Sequence, residues 1–212
     1  MEEKPRLRGV LHAVACLVAC VAGALLVGYA PGGTETAAAA VFAGSAALCL
    51  AASAAYHLLP WSPRARLVMR RVDHAGIYLL IAGTYTPVGL LSLRGALQQV
   101  VLAIVWGGAA VATVLRFAWA TAPRWLTGVI GVALGWAGVA AMPQLAEHAG
   151  LGAVVLLSLG GLAYTLGAVV YTSKRPNPAP RVFGFHEVFH ALTILALACQ
   201  YVAIAFFVVR SG

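Results

Sequence analysis

Residues 151–173 read LGAVVLLSLGGLAYTLGAVVYTS, an unbroken stretch with no charged side chain. A spanning helix needs about 20 apolar residues to cross a hydrocarbon core of about 30 Å, and this stretch is long enough. Six more apolar runs lie at about 10–30, 37–59, 68–93, 97–119, 125–144 and 186–209. Lipid offers the backbone no hydrogen-bond partner, so each run is expected to be helical. The breaks carry turn chemistry: Pro31-Gly32-Gly33, Pro60 to Pro63, Arg94-Gly95, Pro123, Glu147 to Gly150, and Pro176 to Pro180. Pro87 is expected to kink the third helix. Gly128, Gly131, Gly135 and Gly138 are expected to give the fifth a close-packing seam. The fold class that follows is an all-α membrane protein, a seven-transmembrane helix bundle forming one domain over residues 1–212.

Composition agrees. Hydrophobic residues make up 62% of the chain and charged residues 9%, against about 25% charged in soluble domains. So few polar groups cannot cover a globular surface, and membrane lipids are the expected surroundings, in the cell (plasma) membrane. The net charge of +8 invites a nucleic-acid partner. That reading is rejected, because the basic residues punctuate apolar runs instead of forming one face. The first run is too long for a signal-peptide core and lacks a clear cleavage site. Cys16, Cys20, Cys49 and Cys199 fall inside apolar runs and read as small core residues.

Counting Lys and Arg orients the chain. Lys4, Arg6, Arg8, Arg64, Arg66, Arg70, Arg71, Arg116, Arg124, Lys174, Arg175 and Arg181 fall on one side, and Arg94 and Arg210 on the other. By the positive-inside rule the N-terminus is cytoplasmic and, with seven spans, the C-terminus lies outside.

Intramembrane ionisable residues are functional candidates by default. His12, His57, Asp73, His74, His186, Glu187 and His190 all fall near the cytoplasmic ends of their runs, in one layer. His186 and His190 are one helical turn apart and share a face, a half-site of zinc type. Ser53 and His57 are related in the same way. Three helices can therefore bring His57, Asp73, His186 and His190 together. Three imidazoles leave zinc an open position for water, as in catalytic sites, and Asp73 would hold or deprotonate that water. His12 reads as a helix-to-helix hydrogen bonder or an interfacial residue. His74, about 100° around the helix from Asp73, reads as packing or support for the site. Arg70 and Arg71 are expected to meet lipid headgroups.

A rival reading starts from His186-Glu187-Val188-Phe189-His190, which matches the H-E-x-x-H helix of zinc metalloproteases, with Glu187 as general base. No Asp, Glu or His follows His190, so a downstream third ligand does not exist.

Three segments, taken in order, resemble a known family. They are Ser53-Ala54-Ala55-Tyr56-His57, the stretch RVDHAGIYLLIAGTYTP from Arg71 to Pro87, and His186-Glu187-Val188-Phe189-His190. Together they closely resemble the hemolysin III family, the bacterial branch of the progestin and adipoQ receptor superfamily. The resemblance implies a seven-helix bundle with a cytoplasmic N-terminus and zinc on His57, His186 and His190. It implies a water between metal and Asp73, and a serine one turn from the first histidine, here Ser53. The superfamily includes alkaline ceramidases and adiponectin receptors, to which ceramide-hydrolysing activity is attributed. The short N-terminal region is expected to leave no room for a soluble receptor domain.

The leading expectation is a zinc-dependent intramembrane lipid amide hydrolase of ceramidase type, with Zn2+ as cofactor and a membrane lipid as substrate. Asp73 acts as general base, and Ser53 supports the oxyanion or the metal surroundings. Two alternatives stand beside it. One is a receptor or regulator with structural zinc and no turnover. The other is a cytolytic protein, as the family name says, although the helix interiors offer no continuous polar stripe for conduction.

Overall fold

The computed structural model describes residues 5–119 and 123–211. Lys4 and the side chain of Arg124, both counted in the charge tally, lie outside them. The described chain is helical throughout, without strands. Its helices are α1 Val10–Tyr29, α2 Gly33–Leu58, α3 Pro63–Pro87, α4 Gly95–Ala118, α5 Arg124–Gly135, α6 Met142–Ser173 and α7 Phe185–Ala203. Six stretches are long and apolar enough to cross a membrane. One of these, Trp125–Ser173, runs through both α5 and α6.

Local chemistry sets several helix ends. Ser62 caps α3 by accepting from the Ala65 N–H at 3.4 Å, with Pro63 as first helical residue. Gly9 precedes α1 at φ +86°, and a Cβ there would lie 2.6 Å from His57 Cβ. Only glycine lets the entry to α1 lie this close to the end of α2. Pro87 lacks an N–H, and beyond it the third run continues as a π-helical turn, Val88–Ser92. The last run also ends in a π-helical turn, Ile204–Val208, and the two turns touch.

The fifth and sixth runs differ most from expectation. α5 stops at Gly135 instead of near 144, and a turn with a short 3-10 segment, Val139–Ala141, follows. Gly135 and Gly138 are weak helix formers there. Pro143, favourable at the start of a helix, then opens α6 nine residues before the expected 151. The expected break at Glu147 to Gly150 narrows to a kink at Gly150, where φ is +81° and ψ 166°.

The helices pack as neighbours in chain order, and α7 returns to touch α1 and α6. One buried cluster, with Phe42, Leu50, Leu80, Leu145 and Leu197, joins α2, α3, α6 and α7. A second, with Tyr78, Val105 and Leu134, joins α3, α4 and α5. The outward faces are apolar too. Leu17, Val114 and Leu151 are 71%, 66% and 73% exposed, which suits lipid and not water. Among the four cysteines, all free, Cys49 is buried while Cys20 faces outward; Cys20 therefore departs from the core expectation.

The glycine stripe on α5 is not a seam along its whole length. A Cβ on Gly128 would touch Thr172, and one on Gly138 would overlap Tyr85. At Gly131 and Gly135 it would meet nothing within 4 Å. These glycines border a cavity instead.

Candidate metal centre and its cavity

The last turn of α2 presents His57, and the first turns of α7 present His186 and His190. Each offers a ring nitrogen, and the three nitrogens lie within 4.8 Å of one another. The Nε2 atoms of His57 and His186 are 3.1 Å apart. Two nitrogens on one tetrahedral zinc at 2.0–2.1 Å stand about 3.3 Å apart, so the spacing suits a metal ion. His190 Nδ1 is buried without a hydrogen-bond partner. Three close imidazoles, two buried and that of His186 half-buried, form a donor set that fits a transition metal.

Asp73 opens from α3 onto the same layer. The Ser53 hydroxyl, one turn before His57, hydrogen-bonds its carboxylate. Asp73 is not one of the mutually close donors; it faces a cavity of about 150 Å³. That cavity begins at His12, Ser53, Asp73, His186 and His190. It runs past Leu80, Thr84, Gln200 and Val88 to Met142 and Leu145 near the far end. From Asp73 to Val88 the rise along a helix is about 22 Å, so the space is long and narrow, and most of its walls are apolar.

His74 is held on both sides. Nδ1 faces the Arg70 carbonyl oxygen at 2.5 Å, and Nε2 faces the Tyr171 hydroxyl at 3.1 Å. A carbonyl only accepts, so Nδ1 carries the proton and Nε2 accepts from Tyr171. His74 therefore ties α3 to α6, the packing role expected of it.

Glu187 is fully buried and turned away from the cavity. One oxygen pairs with Arg8, and the other accepts the Gly184 N–H at 2.9 Å, capping α7. A carboxylate occupied in this way is not placed as a protease base, so the H-E-x-x-H match reflects the spacing of two histidines around a structural ion pair.

Three participants make contacts that were not read from the sequence. His12 is 4% exposed and lies flat on His190, ring centroids 3.7 Å apart and planes within 9°. It meets His190 through ring faces, its nitrogens without a well-formed hydrogen bond, so the expected hydrogen-bonding role gives way to stacking. Arg8 was counted only as a cytoplasmic charge. So was Arg116, which is buried near Asp73; its position inside the run at 97–119 was the available signal.

The sequence over residues 2–201 matches the family described as "Haemolysin-III related". The chain belongs to that family. Among haemolysin-III relatives, a hemolysin-3 homolog from Bacillus subtilis is 31% identical over 144 residues, 68% of this chain and 64% of its own length. Hemolysin-3 of Bacillus cereus is 28% identical over 151 residues, 71% and 66% of the two lengths. The match thus spans about two thirds of these relatives. Heptahelical transmembrane protein ADIPOR2 of Oryza sativa subsp. japonica is 36% identical over 180 residues, covering 77% of this chain and 79% of its own. Membership of the haemolysin-III family, with a relative of adipoQ receptor type, agrees with the resemblance carried by the motifs around His57, Asp73 and His186.

Proposed function

We propose that this chain is a seven-span protein of the cell membrane that holds zinc on His57, His186 and His190 and hydrolyses a lipid amide. Its N-terminus is cytoplasmic and its C-terminus outside. Hydrogen bonds support this topology. Arg6 and Leu7 N–H groups donate to Arg181 and Val182 carbonyls, joining the N-terminal segment to the α6–α7 connection at the histidine end. At the other end, the Tyr85 hydroxyl donates to the Gly135 carbonyl at 2.7 Å, and the Arg94 N–H to Gln144 Oε1 at 2.7 Å. These contacts support reading Trp125–Ser173, 49 residues long, as two passes. The basic residues gather at the histidine end, which supports a cytoplasmic placement of that end.

The observation that carries the chemistry is the shared opening. The histidines of α7 and the Asp73–Ser53 pair face one apolar cavity long enough for an acyl chain. Zinc at the three imidazoles would supply a Lewis acid and an acidified water. The Asp73 carboxylate, oriented by Ser53, takes the water proton and delivers it to the departing amine nitrogen as the C–N bond breaks. The cavity walls hold the chain of the fatty acid released and keep bulk water out. The relatives' hemolysin names raise cytolysis, but the apolar cavity walls offer ions no continuous polar path.

The test is hydrolysis of N-acyl lipids by purified protein, with Asp73→Asn as chemistry control. Release of fatty acid and amine by the wild type, lost in the variant with metal retained, supports the proposal. A metal-loaded wild type that cleaves no lipid amide points to a regulator with a structural metal.

A further inference from the structure

Arg116, in the last turn of α4, is 8% exposed. Its buried Nε has no hydrogen-bond partner, and among the described residues no carboxylate lies within ion-pair distance of it. A buried donor left unsatisfied is costly, so an acceptor group that reaches Nε is favoured there. The surroundings sharpen this. Arg70, Arg71, Tyr78 and Tyr171 are within electrostatic range of Arg116, and Asp73 is a carboxylate that interacts with it. Glu35 and Glu147 sit toward the opposite end, and Glu187 is taken by Arg8. Arg70 and Arg71 thus add positive charge beside Arg116.

Arg116 is also connected to that cavity. It lines a small recess with Tyr78, Trp119 and Thr127, and Thr127 is a wall of the main cavity as well. A group at the cavity mouth can thus approach Arg116 while its chain lies among Leu80, Thr84 and Gln200.

We propose that Arg116 receives an anionic headgroup of phosphate type, carried by an amphiphile whose chain occupies the cavity. A phosphate monoester carries about −1.5 to −2 charges and three strong acceptor oxygens, and the guanidinium fork suits those oxygens. The inference rests on the cavity taking an acyl chain, part of the function proposed above, and not on turnover.

Full-length protein in neutral maltoside micelles is titrated with octyl phosphate, octanol and inorganic phosphate by calorimetry. Octyl phosphate is expected to bind at least about tenfold tighter than either of the others, as charge-assisted hydrogen bonds in a shielded site imply. Arg116→Gln removes the preference without lowering the ligand-free unfolding temperature, and Arg64→Gln, at an exposed arginine, keeps it. Equal binding of octyl phosphate and octanol by the wild type, or an unchanged preference in R116Q, overturns the proposal alone. Failure of both octyl compounds to bind overturns the acyl-chain reading with it. Inorganic phosphate binding as tightly as octyl phosphate, and losing this in R116Q, overturns the amphiphile and leaves a free-anion site. If R116Q does not fold, Arg116→Lys keeps the charge and loses the fork; its preference is expected to fall by about threefold or more, and an unchanged preference overturns the proposal.

Discussion

The Nε2 atoms of His57 on α2 and His186 on α7 face each other at 3.1 Å across 129 residues of chain. Two neutral imidazoles at this distance either share one proton or turn both lone pairs to a common ion. The third imidazole, His190, and its stacking partner His12 close the group from the α7 and α1 sides. One ion at this place would tie the end of α2 to the start of α7. Chelation of the metal is therefore expected to lower the unfolding temperature of the wild type, since a ligand bound only by the folded state stabilises it by mass action. The shift should vanish in His57→Ala. An equal shift with chelator in both proteins would contradict the assignment.

Glu187 separates the present account from the metalloprotease motif. Breaking a buried pair by removing one partner costs about 3–5 kcal/mol. Arg8 keeps 20% exposure, so the lower end applies. Glu187→Gln is expected to unfold at lower temperature and to keep its metal. A double cycle with Arg8→Met should recover part of the loss. A stable Glu187→Gln protein that loses only hydrolysis would restore Glu187 as a base.

The α5 glycines provide a test of the cavity. Gly131 has ordinary helical backbone and open space before it. Gly131→Leu should therefore fold at least as well, since leaving glycine in a helix gains up to about 1 kcal/mol. Binding of a fluorescent fatty acid should fall by about tenfold or more, because the new side chain fills the channel. Retained binding would place the chain elsewhere. Gly83 behaves oppositely, since a Cβ there would overlap Ser45 on α2, and Gly83→Ala is expected to destabilise.

Tyr164 gives a prediction of opposite sign. Its hydroxyl is buried without a hydrogen-bond partner among the described residues. Tyr164→Phe removes an unsatisfied group and should raise ligand-free stability by about 1 kcal/mol, read as a higher unfolding temperature. A clear drop would mean that the hydroxyl has a partner in the protein as it stands in the membrane.

Much of this was legible because lipid imposes simple rules. Apolar runs located the helices to within a few residues, except around α5 and α6. Hydropathy counts Gly, Ala and Trp as span-compatible, and so could not see that Gly135 to Gly138 end a helix. The separation of one turn between His186 and His190 fixed their shared face, and the position of His57 at the end of a run fixed its depth. Stacking of His12 on His190, and the pairing of Arg8 with Glu187, depend on α1 lying against α7. No local pattern encodes that contact. Arg116 was visible as a charge within an apolar run, yet the charge tally absorbed it.

The central claim is tested most directly by elemental analysis of purified, chelator-free protein, wild type beside the His186→Ala/His190→Ala double variant. The account predicts about one zinc ion per wild-type chain, the capacity of three imidazoles with one open position, and none in the variant. A folded wild type without metal, or a variant that retains the full amount, would contradict it and leave the histidines as a packed polar cluster between α1, α2 and α7.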